Sequence, residues 1–237
     1  MIAELFGIED LNILITGSSR GIGLALAEGM GKCGANIILN GRKKETLKKA
    51  AQSLTSKGIK ASYYDFDVSR PDQVSDTVDK IISENGNIDV LVNNAGIQIR
   101  GELENFDYEN FQKVMNINVT SAFLVSKEVV KNMISRKKGK IINICSLMSE
   151  VARPTIAPYT ASKGAVKNLT KGMATDWGKY NIQINGIGPG YFSSEMTKEL
   201  VEDKKFNEWI CKRTPAGRWG KLDELVGTAI FLSSKAS

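Results

Sequence analysis

Residues 11–34 read LNILITGSSRGIGLALAEGMGKCG. LNILIT is a short apolar, β-prone run that stops at Gly17, and GLALAEGMGKCG beyond the turn has a helical pattern that ends in glycines. The stretch therefore reads as strand, glycine-rich turn and helix. Gly17, Gly21 and Gly23 follow the spacing G-x-x-x-G-x-G. Lacking side chains, they let backbone N–H groups come close to an anion at a helix N-terminus, where the peptide dipoles favour negative charge. Such a turn after the first strand of an α/β chain points to a dinucleotide pyrophosphate.

Downstream the alternation continues. NIILN (36–40) reads as a second strand, 43–57 as a helix with lysines on its exposed face, and ASYYDFDV (61–68) as a third strand. PDQVSDTVDKIISEN is the next helix, and IDVLVNNAG (88–96) is a strand running into two amides and a glycine. A long helical stretch, FQKVMNINVTSAFLVSKEVVKNMISRKK, carries Asn118 inside it. Asn is unfavourable in a helix interior, so a kink or a bound water is expected there. GKIINICS (139–146) and NIQINGIGPG (181–190) are the fifth and sixth strands, 191–220 a variable helical loop, and KLDELVGTAIFLSSKAS a last helix. This order predicts an α/β fold, a parallel sheet with right-handed crossovers and helices on both faces. No internal repeat, low-complexity tract or linker interrupts residues 1–237, which read as one domain.

Composition removes several function classes. The chain has no histidine, which excludes Ser-His-Asp chemistry, His-ligated metals and a histidine base. Cys33, Cys145 and Cys211 are widely spaced and odd in number, as expected of reduced thiols in a cytoplasmic protein without a zinc site. MIAELFGIEDLN lacks the basic start of a signal peptide, and no apolar run approaches the ~18 residues of a membrane span. The net charge of +6 includes the runs RKK (42–44) and RKKGK (136–140). They lack the aromatic interleaving of a nucleic-acid surface, so neither nucleic acid nor membrane is an expected partner.

The chemistry is carried by SLMSEVARPTIAPYTASK (146–163). Tyr159 and Lys163 are four residues apart and share one face of a helix, for which Pro158 suits the first turn. A tyrosine with a pKa of about 10 is a poor base until a nearby cation favours its phenolate. A serine hydroxyl at the same point can hold a carbonyl or alcohol oxygen. Ser146, Tyr159 and Lys163 together make a proton-transfer site for an alcohol/ketone pair. At the end of the second strand, Gly41 stands where an acid would bind the adenosine ribose, followed by Arg42. With Arg20 nearby, two guanidiniums suit a 2′-phosphate, so NADP is expected over NAD.

TGSSRGIG (16–23), NNAG (93–96), Asn118, Ser146, Tyr159-x-x-x-Lys163 and PG (189–190) resemble, in order and spacing, the short-chain dehydrogenase/reductase family over nearly the whole chain. The resemblance implies a single Rossmann-like doubly wound parallel sheet, assembled as a homotetramer or homodimer. It implies Tyr159 as general acid/base, Lys163 as the group that lowers its pKa and holds the nicotinamide ribose, Ser146 on the substrate oxygen, and Asn118 holding a relay water. Gly17, Ser19, Arg20, Gly21, Ile22 and Gly23 would cradle the phosphates, with Arg42 at the 2′-phosphate. Asp67 and Val68 would flank the adenine, and Asn94, Ala95 and Gly96 would line the ribose. Pro189, Gly190, Phe192 and Ser194 would contact the nicotinamide end.

Within the family, NNAGIQ, INICSLMSE, PYTASKGAVK, GPGYFSSEMTKELVED and CKRTPAGRWG look like the segments of oxidoreductases acting on gluconates. The resemblance therefore implies a small sugar-acid substrate, with another sugar-acid dehydrogenase or a 3-oxoacyl-carrier-protein reductase as alternatives. Arg153 and Arg100 are the cations closest in sequence to the chemistry and are candidates for the carboxylate, with Gln98 and Glu150 for sugar hydroxyls. The family usually continues after the last helix with a seventh strand. This sequence ends at Ser237, so six strands are expected and subunit pairing along that edge is placed in question.

Overall fold

The computed structural model describes residues 2–237. Its centre is a six-stranded sheet of β1 (Asn12–Ile15), β2 (Asn36–Gly41), β3 (Ala61–Asp65), β4 (Val90–Asn93), β5 (Gly139–Ile144) and β6 (Ile182–Ile187), ordered β3-β2-β1-β4-β5-β6. Every neighbouring pair is parallel, with Leu14 opposite Ile38 and Leu91, and Asn93 opposite Asn143. The order reverses direction between β1 and β4. In open parallel sheets a ligand crevice forms at such a point, beyond the strands' carboxyl ends.

The helices are α1 (Ile2–Phe6), α2 (Gly21–Lys32), α3 (Lys44–Thr55), α4 (Pro71–Asn85), α5 (Tyr108–Met115), α6 (Ser121–Arg136), α7 (Ala157–Trp177), α8 (Lys198–Glu202), α9 (Lys204–Arg213) and α10 (Val226–Ser233). They cover both faces. Ile13, Ile15, Ile37, Leu39, Val90, Val92, Ile142 and Ile144 point to one core, which α2, α3 and α10 close with Leu26, Leu47 and Ala229. Leu14, Ile38, Leu91 and Ile141 point to the other, closed by Val78 and Ile81 of α4, Val125 and Val129 of α6 and Met173 of α7. The alternation is the two-residue period of a strand, and because both faces are buried the strands read as unbroken apolar runs. Truncating one of these side chains, as in Leu14→Ala, costs about 2–5 kcal/mol.

The expected architecture is present, with local departures. The segment at 2–6 is helical, and the third strand closes at Asp65 rather than Val68. The long helix expected over 111–138 begins earlier, where the Asp107 carboxylate accepts from the N–H groups of Glu109 and Asn110. A π-turn at Asn116–Thr120 interrupts it, with Asn118 inside. The final helix occupies only 226–233, after a short 3-10 turn that Glu224 caps through the Lys221 N–H. No described helix is long and apolar enough to cross a membrane.

Candidate active site

The glycine turn is locked to the β4 end by a compact set of bonds. Thr16 Oγ1 accepts from the N–H groups of Asn94 and Ala95, both at 3.0 Å. The Asn94 amide donates to the carbonyls of Thr16 and Gly17 at 2.9 and 3.0 Å. Asn94 thus holds the turn itself, and the backbone of Ala95 and Gly96 is what it leaves along the crevice. Asn40 Oδ1 takes the Gly17 N–H from the other side at 3.2 Å. Gly17 has φ +61° and approaches Ala95 so closely that a Cβ would lie 2.8 Å from its Cα. A Cβ on Gly23 would stand 2.5 Å from the Asn94 amide nitrogen and 2.8 Å from Gly17 O. Both positions need glycine for lack of room.

Helix α2 begins at this turn with no side-chain cap. Its first helical bond runs from Leu24 N to Arg20 O, so the N–H groups of Gly21, Ile22 and Gly23 have no acceptor within the helix. This is an anion cradle that fits the pyrophosphate of a dinucleotide. Ser19 lies in the turn. Arg20 itself is exposed and pairs with Glu195 at 2.9 Å, across the crevice. At the far end a cleft of about 380 Å³ is lined by Arg42, Asp67, Ser69, Asn116 and Ile117, among others. It lies at the β2–β3 end of the crevice, away from Ser146, Tyr159 and Lys163. Val68 is buried behind it. Burial acts to raise the Asp67 carboxyl, but hydrogen bonds from Ser69 Oγ and N and the charges of Arg42 and Arg70 hold it below its ordinary value.

Ser146, Tyr159 and Lys163, the residues expected to carry the chemistry, meet between β5 and α7. Ser146 follows β5 in extended backbone, and its Oγ caps a short turn by accepting from Met148 N at 3.1 Å. Ser149 Oγ anchors that turn to the Lys163 carbonyl at 2.9 Å. Burial pushes the Tyr159 phenol up, and the neighbouring Ser146 hydroxyl and the Arg153 charge draw it back. Lys163 is buried and desolvation lowers it to about 8. Its amine donates to Ile144 O at 2.6 Å and sits 5.8 Å from the centre of the Tyr159 ring. Arg153 is thus a cation that draws the phenol down, while the Lys163 amine is turned toward the end of β5.

Asn118 sits in the π-turn with its side chain engaged. Its amide donates to Ile97 O and Ser162 Oγ at 3.0 and 2.9 Å, and its Oδ1 accepts from Ile97 N at 2.8 Å. Ser162 Oγ continues the chain to the Tyr159 carbonyl at 2.7 Å. One asparagine thus ties the β4 loop to the helix that carries Tyr159 and Lys163. Gly96 lies beside both Asn118 Oδ1 and Lys163 Nζ.

The segment 191–220 folds over the mouth of the site. Leu147 N donates to Pro189 O at 2.9 Å, Gly190 leads into the segment, and Phe192 packs on Gly220, leaving no room there for a Cβ. Ser194 caps the turn at 195–197. Arg153 is half-buried. Its guanidinium lies 5.4 Å from the Phe206 ring centre, near Tyr191 and within electrostatic reach of Arg100 and Tyr159. Arg100 is 3.7 Å from Glu199, and Gln98 lies in the same loop. Glu150 pairs instead with Lys167, which turns it away from a role with sugar hydroxyls. Sequence reading missed Thr16, Asn40 and Ser162, polar residues buried at strand and helix positions. It also missed Tyr191, Phe206 and Trp219, a cluster with centroids 5.6–6.4 Å apart whose only sequence signal is aromatic density in a polar stretch.

Known proteins share this fold and much of this sequence. A family model described as short chain dehydrogenase matches residues 11–205. The chain is 55% identical over 234 residues to gluconate 5-dehydrogenase of Gluconobacter oxydans, covering 99% of this chain and 91% of that one. It is 52% identical to 5-keto-D-gluconate 5-reductase of Escherichia coli K12, covering 99% and 92%. A crystal structure of a gluconate 5-dehydrogenase from Burkholderia cenocepacia in complex with NADP and tartrate superposes with a TM-score of 0.97 at 49% identity, covering 100% of this chain and 93% of that one.

Proposed function

The chain belongs to the short-chain dehydrogenase family, and from that premise we propose that it interconverts 5-keto-D-gluconate and D-gluconate with NADP as cofactor. The observation that carries the substrate is the identity of 52–55% to enzymes of that activity over 99% of the chain. The aligned region includes the pocket-shaping segment 191–220, which supports a sugar acid over an acyl-carrier substrate. The cofactor reading is supported by the open helix N-terminus at Gly21–Gly23, the close-packed Gly17 and Gly23, and Arg42 beside a β2 end without an acid. Gly17, Ser19, Arg20, Gly21, Ile22 and Gly23 would hold the pyrophosphate, Asp67 and Val68 the adenine, and Arg42 the 2′-phosphate. Ala95, Gly96, Tyr159 and Lys163 would hold the nicotinamide ribose, and Pro189, Gly190, Phe192 and Ser194 the ring.

Bound NADPH supplies the hydride. The chain's own residues handle the oxygen and its proton. Ser146 and Tyr159 hold the ketone oxygen, and Tyr159 gives its phenolic proton as negative charge develops there. Lys163, with a pKa brought to about 8 by burial, exchanges protons near neutral pH. A water beside Asn118 and Gly96 would connect it to solvent. In the oxidising direction the tyrosine takes the alcohol proton. Arg153 and Arg100 would bind the carboxylate and Gln98 a hydroxyl, supported by the proximity of both guanidiniums to each other and of Arg153 to Tyr159. The same reading makes the protein a homodimer or homotetramer, supported by exposed Tyr108 and Phe123 on α5 and α6 and tested by light scattering. The substrate test is a panel of keto acids and an acetoacetyl thioester, each with NADPH and NADH. The expected result is the highest kcat/KM for 5-keto-D-gluconate with NADPH, and a preference for the thioester would overturn it.

A further inference from the structure

Resting on the sugar-acid reading, we propose that Phe206 is a positioning residue for substrate selection: its ring holds Arg153 so that the edge of the guanidinium faces the carboxylate of the bound substrate. Arg153 stands in the loop between β5 and α7, and the Gly101 N–H donates to Thr155 O at 3.0 Å, stitching that loop to the segment carrying Arg100. This bond brings together the two segments that carry Arg100 and Arg153, close enough for their charges to interact. Their like charges oppose one another, and an anion between them relieves that repulsion. Arg100 already has a carboxylate, Glu199, within ion-pair distance, and so does Arg20 in Glu195. Among the described residues Arg153 has none. Its neighbours are Phe206, Tyr191, Tyr159 and Arg100. A half-buried cation without a counter-ion, next to the catalytic phenol, is arranged for an anion that arrives with the substrate.

Phe206 is suited to aim it. A guanidinium over an aromatic face loses solvent from that face while its in-plane N–H groups keep their hydrogen-bonding capacity; one interacts with the Tyr191 hydroxyl, and the others remain for a carboxylate. The ring is itself held from several sides. Tyr191 and Trp219 lie 5.9 and 6.4 Å from its centroid and Trp209 5.4 Å. Trp219 is fixed by its Nε1 donating to Asn207 Oδ1 at 2.6 Å, and the Phe206 N–H donates to the Asp203 carboxylate at 3.2 Å, at the start of α9. A braced platform costs a side chain less conformational freedom on binding than a free arginine would lose.

The experiment compares wild type, Phe206→Leu and Phe206→Tyr with NADPH, on 5-keto-D-gluconate and on an uncharged ketohexose, and measures binding of D-gluconate and D-glucitol to the NADP complex by calorimetry. Phe206→Leu is expected to raise KM for the keto acid about tenfold with kcat within about threefold, the size of one lost cation–aromatic contact. It should weaken D-gluconate binding by the same factor and D-glucitol binding far less, and Phe206→Tyr should restore both. In an Arg153→Ala background Phe206→Leu should add nothing. Equal losses for charged and uncharged ligands, a fall in kcat instead of a rise in KM, or additive effects in the double variant would overturn the proposal. Failure of the substrate reading is separate: it is absence of wild-type turnover of the keto acid, while calorimetry still reads charge selectivity. If Phe206→Leu does not fold, Phe206→Met replaces it in every arm.

Discussion

The amine of Lys163 lies 2.6 Å from the backbone oxygen of Ile144, in a site where burial brings its pKa to about 8. The unfolded chain keeps that proton up to a pH near 10.4. Between the two values the unfolded state binds more protons, so this residue's contribution makes stability rise with pH, and below about 8 the cost of the buried charge is fully present. Lys163→Met removes the effect. From about pH 7.5 to about pH 9.5 the gap in unfolding free energy between wild type and variant is expected to move about 2 kcal/mol in favour of wild type. Denaturant titrations at the two pH values measure it, and a constant gap would contradict the burial of a titrating amine.

Tyr159→Phe keeps the ring and deletes the proton. Turnover in both directions should fall about 1,000-fold, within the range for a lost general acid/base, while NADPH affinity changes little. Steady-state rates and cofactor fluorescence titration together decide it. Activity retained above one tenth of wild type would displace Tyr159 from its role.

Gly23→Ala places a Cβ against the Asn94 amide, Gly17 O and Ser18 Cα. Two of these are backbone, so the turn must open. The expected cost is about 1–3 kcal/mol of stability, a drop of several degrees in Tm, and weaker NADPH binding by at least about tenfold. Thermal melts with and without NADPH report both, and an unchanged ligand-induced shift would argue against the cradle.

Arg42→Ala removes the guanidinium at the adenosine end while leaving Asp67 held by Ser69. The kcat/KM for NADPH should fall about 30-fold, the value of a charge-assisted hydrogen bond, with NADH affected less than about threefold. Parallel losses with both cofactors would place the 2′-phosphate elsewhere.

Arg153→Ala should raise KM for 5-keto-D-gluconate at least about 30-fold and for an uncharged ketone much less, as loss of a charged partner predicts. It also removes a cation acting on Tyr159, so the rising, low-pH limb of the oxidation profile, which reports the tyrosine base, should move up in pH. A profile that stays in place would mean that the arginine acts on substrate alone.

What the sequence made legible follows from what local physics controls. The strands are buried on both faces, so their apolar runs mark them within a few residues, and the glycine spacing marks the turn because no side chain fits beside Ala95 and Asn94. Asn118 announced a break in its helix, and the π-turn is that break. The direction of Lys163 was not legible, since it depends on the carbonyl of Ile144, nineteen residues away. Nor was the capture of Glu150 by Lys167. The stack of Arg153 on Phe206 joins residues 53 apart through a loop whose own sequence has no period, so only the folded chain brings them together.

The segment over the substrate leaves and rejoins the fold at nearly one point. Gly220 N donates to Tyr191 O at 2.9 Å and Ser193 N to Gly220 O at 3.0 Å, closing the base of the loop like a clasp. What lies between the clasped ends contributes nothing to the register of the sheet. It behaves as an exchangeable cassette: a graft of a different length between Thr197 and Gly220, which leaves Ser194 and its turn in place, pays mainly a loop-closure entropy that grows only with the logarithm of its length. A new substrate range can thus be acquired on this scaffold while the hydride chemistry beneath it stays as it is.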